Sequence, residues 1–150
     1  MAGIHEVYMR EALDLARIAA EAGEVPAGAV VVREGAVIGR GRNSPISLND
    51  PTAHAEMLAI REAASSLSNY RLESTVLYST LEPCVMCAGA LVAARIGTLV
   101  FGARDLRFGG VRSKFRLTDS EILNHRVEIV EGVLAFECSA LLKRFFEARR

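Results

Sequence analysis

His54 and Glu56 stand two residues apart in the segment DPTAHAEMLAI, and Cys84 and Cys87 form a C-x-x-C directly after Pro83 in LEPCVMCAGA. One imidazole and two thiolates are zinc ligands, and three protein ligands leave a fourth tetrahedral position for water, as in catalytic sites. At i and i+3 at the start of a helix, the two sulfurs share a face. The free amides and dipole there favour thiolate, the form that binds a metal. Pro83 suits the first turn, where its missing N–H costs nothing. On a regular helix His54 and Glu56 would point about 200° apart, so both serve one centre only if it lies near the axis, just beyond the N-terminus.

A carboxylate beside a zinc-bound water can take its proton and return it to substrate and leaving group. Zinc brings the pKa of that water to about 7. Hydroxide attack on an amidine-like ring carbon, then proton return from Glu56 to ring nitrogen and amine, releases ammonia. The chemistry is hydrolytic deamination. A lone histidine is ordinarily a core residue and a lone C-x-x-C is ambiguous between metal, redox and packing. Here each stands at a helix start within three residues of a proline. A closed structural zinc site would need a fourth ligand from Cys138, His5 or His125, and Cys138 in FECSALL reads as a small packed residue.

The elements that must position these groups alternate along the chain. Apolar residues at helical spacing run from 5 to 22 and stop at Gly23. Strands are expected over 28–33 and 36–42 around a Glu34-Gly35 turn. A helix capped by Thr52 runs to about Leu67. STVLYSTL (74–81) reads as a strand, 84–95 as a helix and IGTLVFGA (96–103) as a strand. A Gly-rich basic loop, a short helix near Thr118–Leu123, a strand over 125–130 and a helix over 135–148 complete the pattern. Interleaved strands and helices predict an α/β fold with helices on both sheet faces. With 150 residues, 51% of them hydrophobic, and no linker, the chain is expected to be one domain, 1–150.

Early charges (His5, Glu6, Arg10, Glu11, Asp14, Arg17) exclude a signal peptide reading, and no apolar run approaches the roughly 20 residues of a membrane span. Three cysteines suit a reducing cytoplasm. Net charge is zero but uneven: residues 104–116 carry +4, the last eight +3, and 6–24 carry −3. Such separation makes a basic face on a neutral protein.

HAE followed by PCVMC resembles the signature of the zinc nucleoside and nucleobase deaminases. EVPAGAVVV, IGRGRNSPI, DPTAHAEMLAI, NYRLESTVLYSTLEPCVMCAGAL, RIGTLVFGARD and NHRVEIVEGVLAFECSALLKRFF together resemble the bacterial tRNA-specific adenosine deaminases across nearly the whole chain. That family converts the wobble adenosine of an anticodon to inosine. The resemblance implies a three-layer α/β/α cytidine-deaminase-like fold with a five-stranded mixed sheet, and a homodimer acting on a tRNA anticodon stem-loop. It implies one zinc ion per subunit on His54, Cys84 and Cys87, with zinc-bound hydroxide attacking the base C6 and Glu56 shuttling protons. Ala55 would offer backbone to the base, Asn43 would bond the flipped nucleoside, and Asp105 would lie beside the ribose and backbone. Phe146 and Arg149 would flank the RNA loop.

The plainer readings are a turn residue for Asn43, a loop carboxylate for Asp105 and core packing for Phe146; Glu82 is assigned to local hydrogen bonding. Single-stranded bases can be splayed out and read individually, with phosphate contacts falling on the basic loop and C-terminus. Phe108 and Phe115 interleave with those charges, to stack on bases or to pack under the loop. Arg107 stands where the commonest bacterial loop has lysine, the loop is more basic at Arg112 and Lys114, and the chain lacks the further basic tail of some members. These departures touch RNA affinity rather than the chemistry. A free-base or free-nucleoside deaminase (guanine, cytosine or cytidine) shares the zinc residues, and a non-catalytic zinc-stabilised RNA-binding protein would have no use for Glu56.

Overall fold

The computed structural model describes residues 3–149; Arg150, counted in the basic C-terminus, lies outside them. The first amphipathic stretch forms α1 (Ile4–Glu21), burying Met9, Ala12, Leu13, Ala16 and Ala19. A hairpin follows, β1 (Gly28–Arg33) and β2 (Ala36–Arg42). Its turn residues Glu34 and Gly35 have φ of 51° and 78°, the positive pair that a two-residue turn matched to strand twist requires. Then come α2 (Pro45–Leu48), α3 (Ala55–Leu67), β3 (Val76–Leu81), α4 (Val85–Ala94), β4 (Thr98–Ala103), β5 (Glu128–Glu131) and α5 (Ala135–Glu147).

All five strands join one sheet in the order β2-β1-β3-β4-β5. β1 is antiparallel to both β2 and β3, whereas β3, β4 and β5 run parallel. Central strands covered on both faces read as continuous apolar runs. Val31, Leu77, Leu99 and Phe101 face α3 and α4, packing on Ala55, Ala59, Ala88 and Leu91. Val30, Val32, Tyr78 and Val100 face α1 and α5, packing on Met9, Leu13, Cys138 and Leu141. The result is the expected three-layer fold with a mixed sheet. Gly41 lets α3 rest on β2, since a Cβ there would lie 2.1 Å from the Ala55 carbonyl oxygen. That contact fixes the start of α3 above the carboxyl end of β2.

Three local expectations are corrected. Residues 118–123 form turns, not a helix: Asp119 is bound by Arg112, and Ser120 accepts from the Ile122 amide. Short polar side chains that bond elsewhere compete with helix formation. Thr52 does not cap α3; its hydroxyl donates to Asp50 Oδ1 at 2.7 Å, and His54 is the capping residue. Pro83 likewise precedes the cap, Cys84, rather than opening α4. The one-turn α2, with Pro45 in its first turn, was not expected from the sequence.

Candidate active site

The carboxyl ends of β2, β3 and β4 lie along one edge of the sheet, where open α/β folds place their ligands. β2 leads through Asn43 to α3, β3 runs through Glu82 and Pro83 into α4, and β4 runs into the basic loop. His54 caps α3 in extended backbone, with φ −75° and ψ 152°, and Cys84 caps α4 in the same way. This resolves the 200° difficulty, because His54 stands outside the helix whose first turn carries Glu56. Neither helix start has a side-chain cap, so both positive ends meet the cluster.

His54 Nδ1 lies 3.5 Å from Cys84 Sγ and 3.6 Å from Cys87 Sγ. A tetrahedral ion with bonds of about 2.3 Å to sulfur and 2.0 Å to nitrogen has N···S edges of about 3.5 Å. Both nitrogen–sulfur edges therefore match zinc, and all three ligand atoms lie within 4.8 Å of one another. The Cys87 thiol first, and then the His54 ring, hold the Cys84 thiol down at about 4, while the Cys84 sulfur raises the His54 ring. Cys87 is pushed up, chiefly by the Cys84 sulfur and by burial. Thiols at such a pair give up their protons when the sulfurs bind a metal. The possible fourth ligands are engaged elsewhere. His5 Nδ1 pairs with the Tyr78 hydroxyl at 2.9 Å, His125 Nε2 with the Ile96 carbonyl at 2.7 Å, and Cys138, in α5, is buried on the opposite face of the sheet. Among the described residues the cluster stays at three, which leaves a coordination position open.

Three glutamates are buried: Glu24, Glu56 and Glu82. Burial pushes the Glu56 carboxyl up to about 7, against only its own amide, the His54 charge and the Cys87 thiol. Glu82 accepts instead from the amides of Asp105 (3.0 Å), Val111 (3.1 Å), Arg112 (2.7 Å) and Ser113 (2.9 Å), and from the Ser113 hydroxyl. Although burial opposes it, the hydroxyl and amides of the loop draw the Glu82 carboxyl down. The assignment of Glu82 to local bonding holds. A Cβ at Gly109 would fall 2.4 Å from that carboxylate, so only glycine lets the loop close over it. Glu24, which no motif or spacing singles out, ties α2 with bonds from the Ile46 and Ser47 amides at 3.2 and 2.7 Å. Its only signal was a carboxylate between apolar residues, VPAG following.

The outer residues divide. Asn43 donates to the Val25 carbonyl at 3.2 Å, and the next amide, of Ser44, binds the carbonyl of Ala53 beside His54. Ala55 is fully buried in the first turn of α3. Asp105 Oδ1 accepts from the Arg107 and Phe108 amides, both at 3.1 Å, and so shapes its own turn. Arg107 lines a cavity that also includes Cys84. Phe146 stands in the last turn of α5 and Arg149 just beyond it, 3.6 Å above the Phe145 ring and beside Gly23 rather than at the cluster. The half-exposed Phe146 is not core. The loop is less basic than its composition: Arg104 pairs with Glu131 at 2.9 Å and Arg112 with Asp119 at 3.0 Å. Arg107, Lys114 and Arg116 are left unpaired among the described residues. No described helix is long and apolar enough to cross a membrane.

A family model described as MafB19-like deaminase matches residues 4–150. A tRNA-specific adenosine deaminase of Haemophilus influenzae is 50% identical over 146 residues, 97% of this chain and 84% of its own length. A solved structure from work on A-to-I editing by tRNA:A34 deaminases at the wobble position of transfer RNA superposes with a TM-score of 0.87 at 43% identity, covering 90% of this chain and 98% of that one. A guanine deaminase from Nitrosomonas europaea superposes with a TM-score of 0.83 at 26% identity, covering 97% and 85%.

Proposed function

This chain belongs to the tRNA-specific adenosine deaminases within the MafB19-like deaminases, and on that premise we propose that it converts adenosine to inosine at the wobble position of a tRNA anticodon. The observation that carries the proposal is a relative of that activity sharing half its residues across 97% of this chain. The cluster at the starts of α3 and α4 supplies the means. His54, Cys84 and Cys87 would hold one zinc ion per subunit, which supplies a water of lowered pKa, about 7 in such sites.

Glu56, buried in the first turn of α3, takes one proton of the attacking water to the base nitrogen, where it stays, and then carries the second, from the new C6 hydroxyl, to the amine that leaves as ammonia. The Ala55 backbone and the Asn43 amide, whose Nδ2 is already anchored on Val25, would hold the flipped base and sugar. Asp105, Arg107, Phe146 and Arg149 would meet the flanking RNA, Arg107 and Arg149 through phosphates. The same proposal includes a homodimer and a single catalytic domain over 1–150, supported by one sheet that takes all five strands. It includes a cytoplasmic setting, supported by three unbridged cysteines.

A free-base deaminase is the competing reading, brought by the guanine deaminase neighbour at 26% identity. Unpaired cations and exposed aromatics beside Cys84 favour RNA, since a free base needs neither. A purely zinc-stabilised binding protein leaves buried Glu56 without a purpose. Purified protein is incubated with an anticodon stem-loop carrying wobble adenosine, and in parallel with free adenosine, cytidine and guanine, reading ammonia and inosine by mass. Inosine in the stem-loop alone is the expected result; turnover of a free base or nucleoside alone would overturn the RNA reading.

A further inference from the structure

The loop between β4 and β5 exposes aromatic rings that a protein gains nothing by wetting. Phe108 is 61% and Phe115 56% exposed, yet the backbone carrying them is firmly held. Glu82 binds four of the loop's amides, Asp105 caps the Phe108 amide, and the Gly110 amide donates to the Pro83 carbonyl at 2.8 Å. Cys84 and Gly109 form an isolated β-bridge, and the Phe115 amide donates back to the Gly109 carbonyl. Rings fixed in solvent by a braced backbone are arranged for a ligand, not left over from a disordered loop. With Val85, Met86, Arg107 and Lys114 they line a cavity of about 230 Å³ that shares Cys84 with the metal cluster. That is below the roughly 300–1,000 Å³ of drug-sized sites and suits one planar group.

We propose that this cavity is a subsite for the nucleotide adjoining the edited adenosine, its base stacked on Phe108 and Phe115 and its phosphate met by Arg107 and Lys114. The inference rests on the tRNA reading above. Charge decides in favour of a nucleotide over a second copy of the chain. Both cations at the rim lack a carboxylate partner among the described residues, and Arg107 stands 5.4 Å over the Phe108 ring. An aromatic ring with unpaired cations beside it accepts a base and its backbone together and tolerates any base, because every base has a π-face. Sharing Cys84 puts the cavity next to the reacting base, within reach of the neighbouring nucleotide in a splayed loop.

The test couples ring to base. Dissociation constants are measured for wild type and the Phe108→Leu/Phe115→Leu double variant, whose exposed side chains keep their apolar volume. Three labelled anticodon stem-loops are used: intact, abasic on the 5′ side of the wobble adenosine, and abasic on the 3′ side. The variant should bind the intact stem-loop roughly 5- to 150-fold more weakly, as loss of one stacked base predicts. On one abasic stem-loop the two proteins should agree within about twofold, because the partner of the rings is gone. Equal losses on all three RNAs, no loss on any, or a variant that sediments as a smaller species would overturn the subsite, the last by making the patch a protein interface. If wild type edits the intact stem-loop while the variant matches it, only the subsite fails. If wild type neither binds nor edits it, the tRNA reading fails as well.

Discussion

The starts of α3 and α4 each bring a buried glutamate within two residues of a candidate metal ligand, and the two carboxylates behave oppositely. Glu82, before Cys84, is surrounded by amides and a hydroxyl of the basic loop, which draw it down. Glu56, after His54, is buried with few donors and is pushed up to about 7. A buried carboxylate given a full set of partners is a brace; one left short of partners is available to exchange a proton. Glu24 belongs with Glu82: the hydroxyl and amide of Ser47 hold it down despite burial. Two of the three buried glutamates are thus braces, one for α2 and one for the loop, and Glu56 alone is left short of donors.

The comparison predicts a ladder of effects. Removing a ligand should do most. Cys87→Ala should lose its zinc and, with it, detectable inosine formation; metal analysis of the purified variant checks this, and a fully metallated variant would refute the ligand assignment.

Breaking the loop brace should come next. Glu82→Gln replaces a charged acceptor of several bonds with a weaker one, at a cost of about 1.5–3 kcal/mol in stability. Denaturant melts should show that loss, and the KM for the stem-loop should rise while zinc content stays at one per chain. If zinc is lost with the charge, Glu82 serves the metal rather than the loop.

The smaller brace should show itself through pH. Because the folded Glu24 carboxyl lies below its ordinary 4.5, its contribution is present above that value and is lost as pH falls through the folded value. Wild type should therefore lose stability faster than Glu24→Gln on acidification below about pH 4.5. Parallel acid-melting curves would instead show that Glu24 is not held in its ionised form.

The candidate centre was legible in the sequence because its chemistry is local. Residue types and short spacings named His54, Glu56, Cys84 and Cys87, and alternating periodicity gave the layers. What escaped was pairing between segments distant in sequence. The five cations of residues 104–116 read as a local +4, yet Arg104 is matched by Glu131, 27 residues on, and Arg112 by Asp119. The same Arg112–Asp119 pair engages a side chain of the 118–123 turns, where a helix was expected. Glu24 was invisible because its partners are backbone amides of a one-turn helix that propensity alone does not announce. Asp105 read either as a ribose contact or as a turn carboxylate, and in the fold it makes the turn bonds, accepting from the Arg107 and Phe108 amides.

The central claim is that Glu56 acts on protons and does not hold the site together. Glu56→Ala, purified with its zinc content determined, should be compared with wild type for single-turnover inosine formation in the wobble-adenosine stem-loop. Zinc content should be unchanged, the melt unchanged to within about 1 kcal/mol, and the rate lower by roughly 10²–10⁴-fold. A metallated, folded variant that retains a tenth of the wild-type rate would contradict that role.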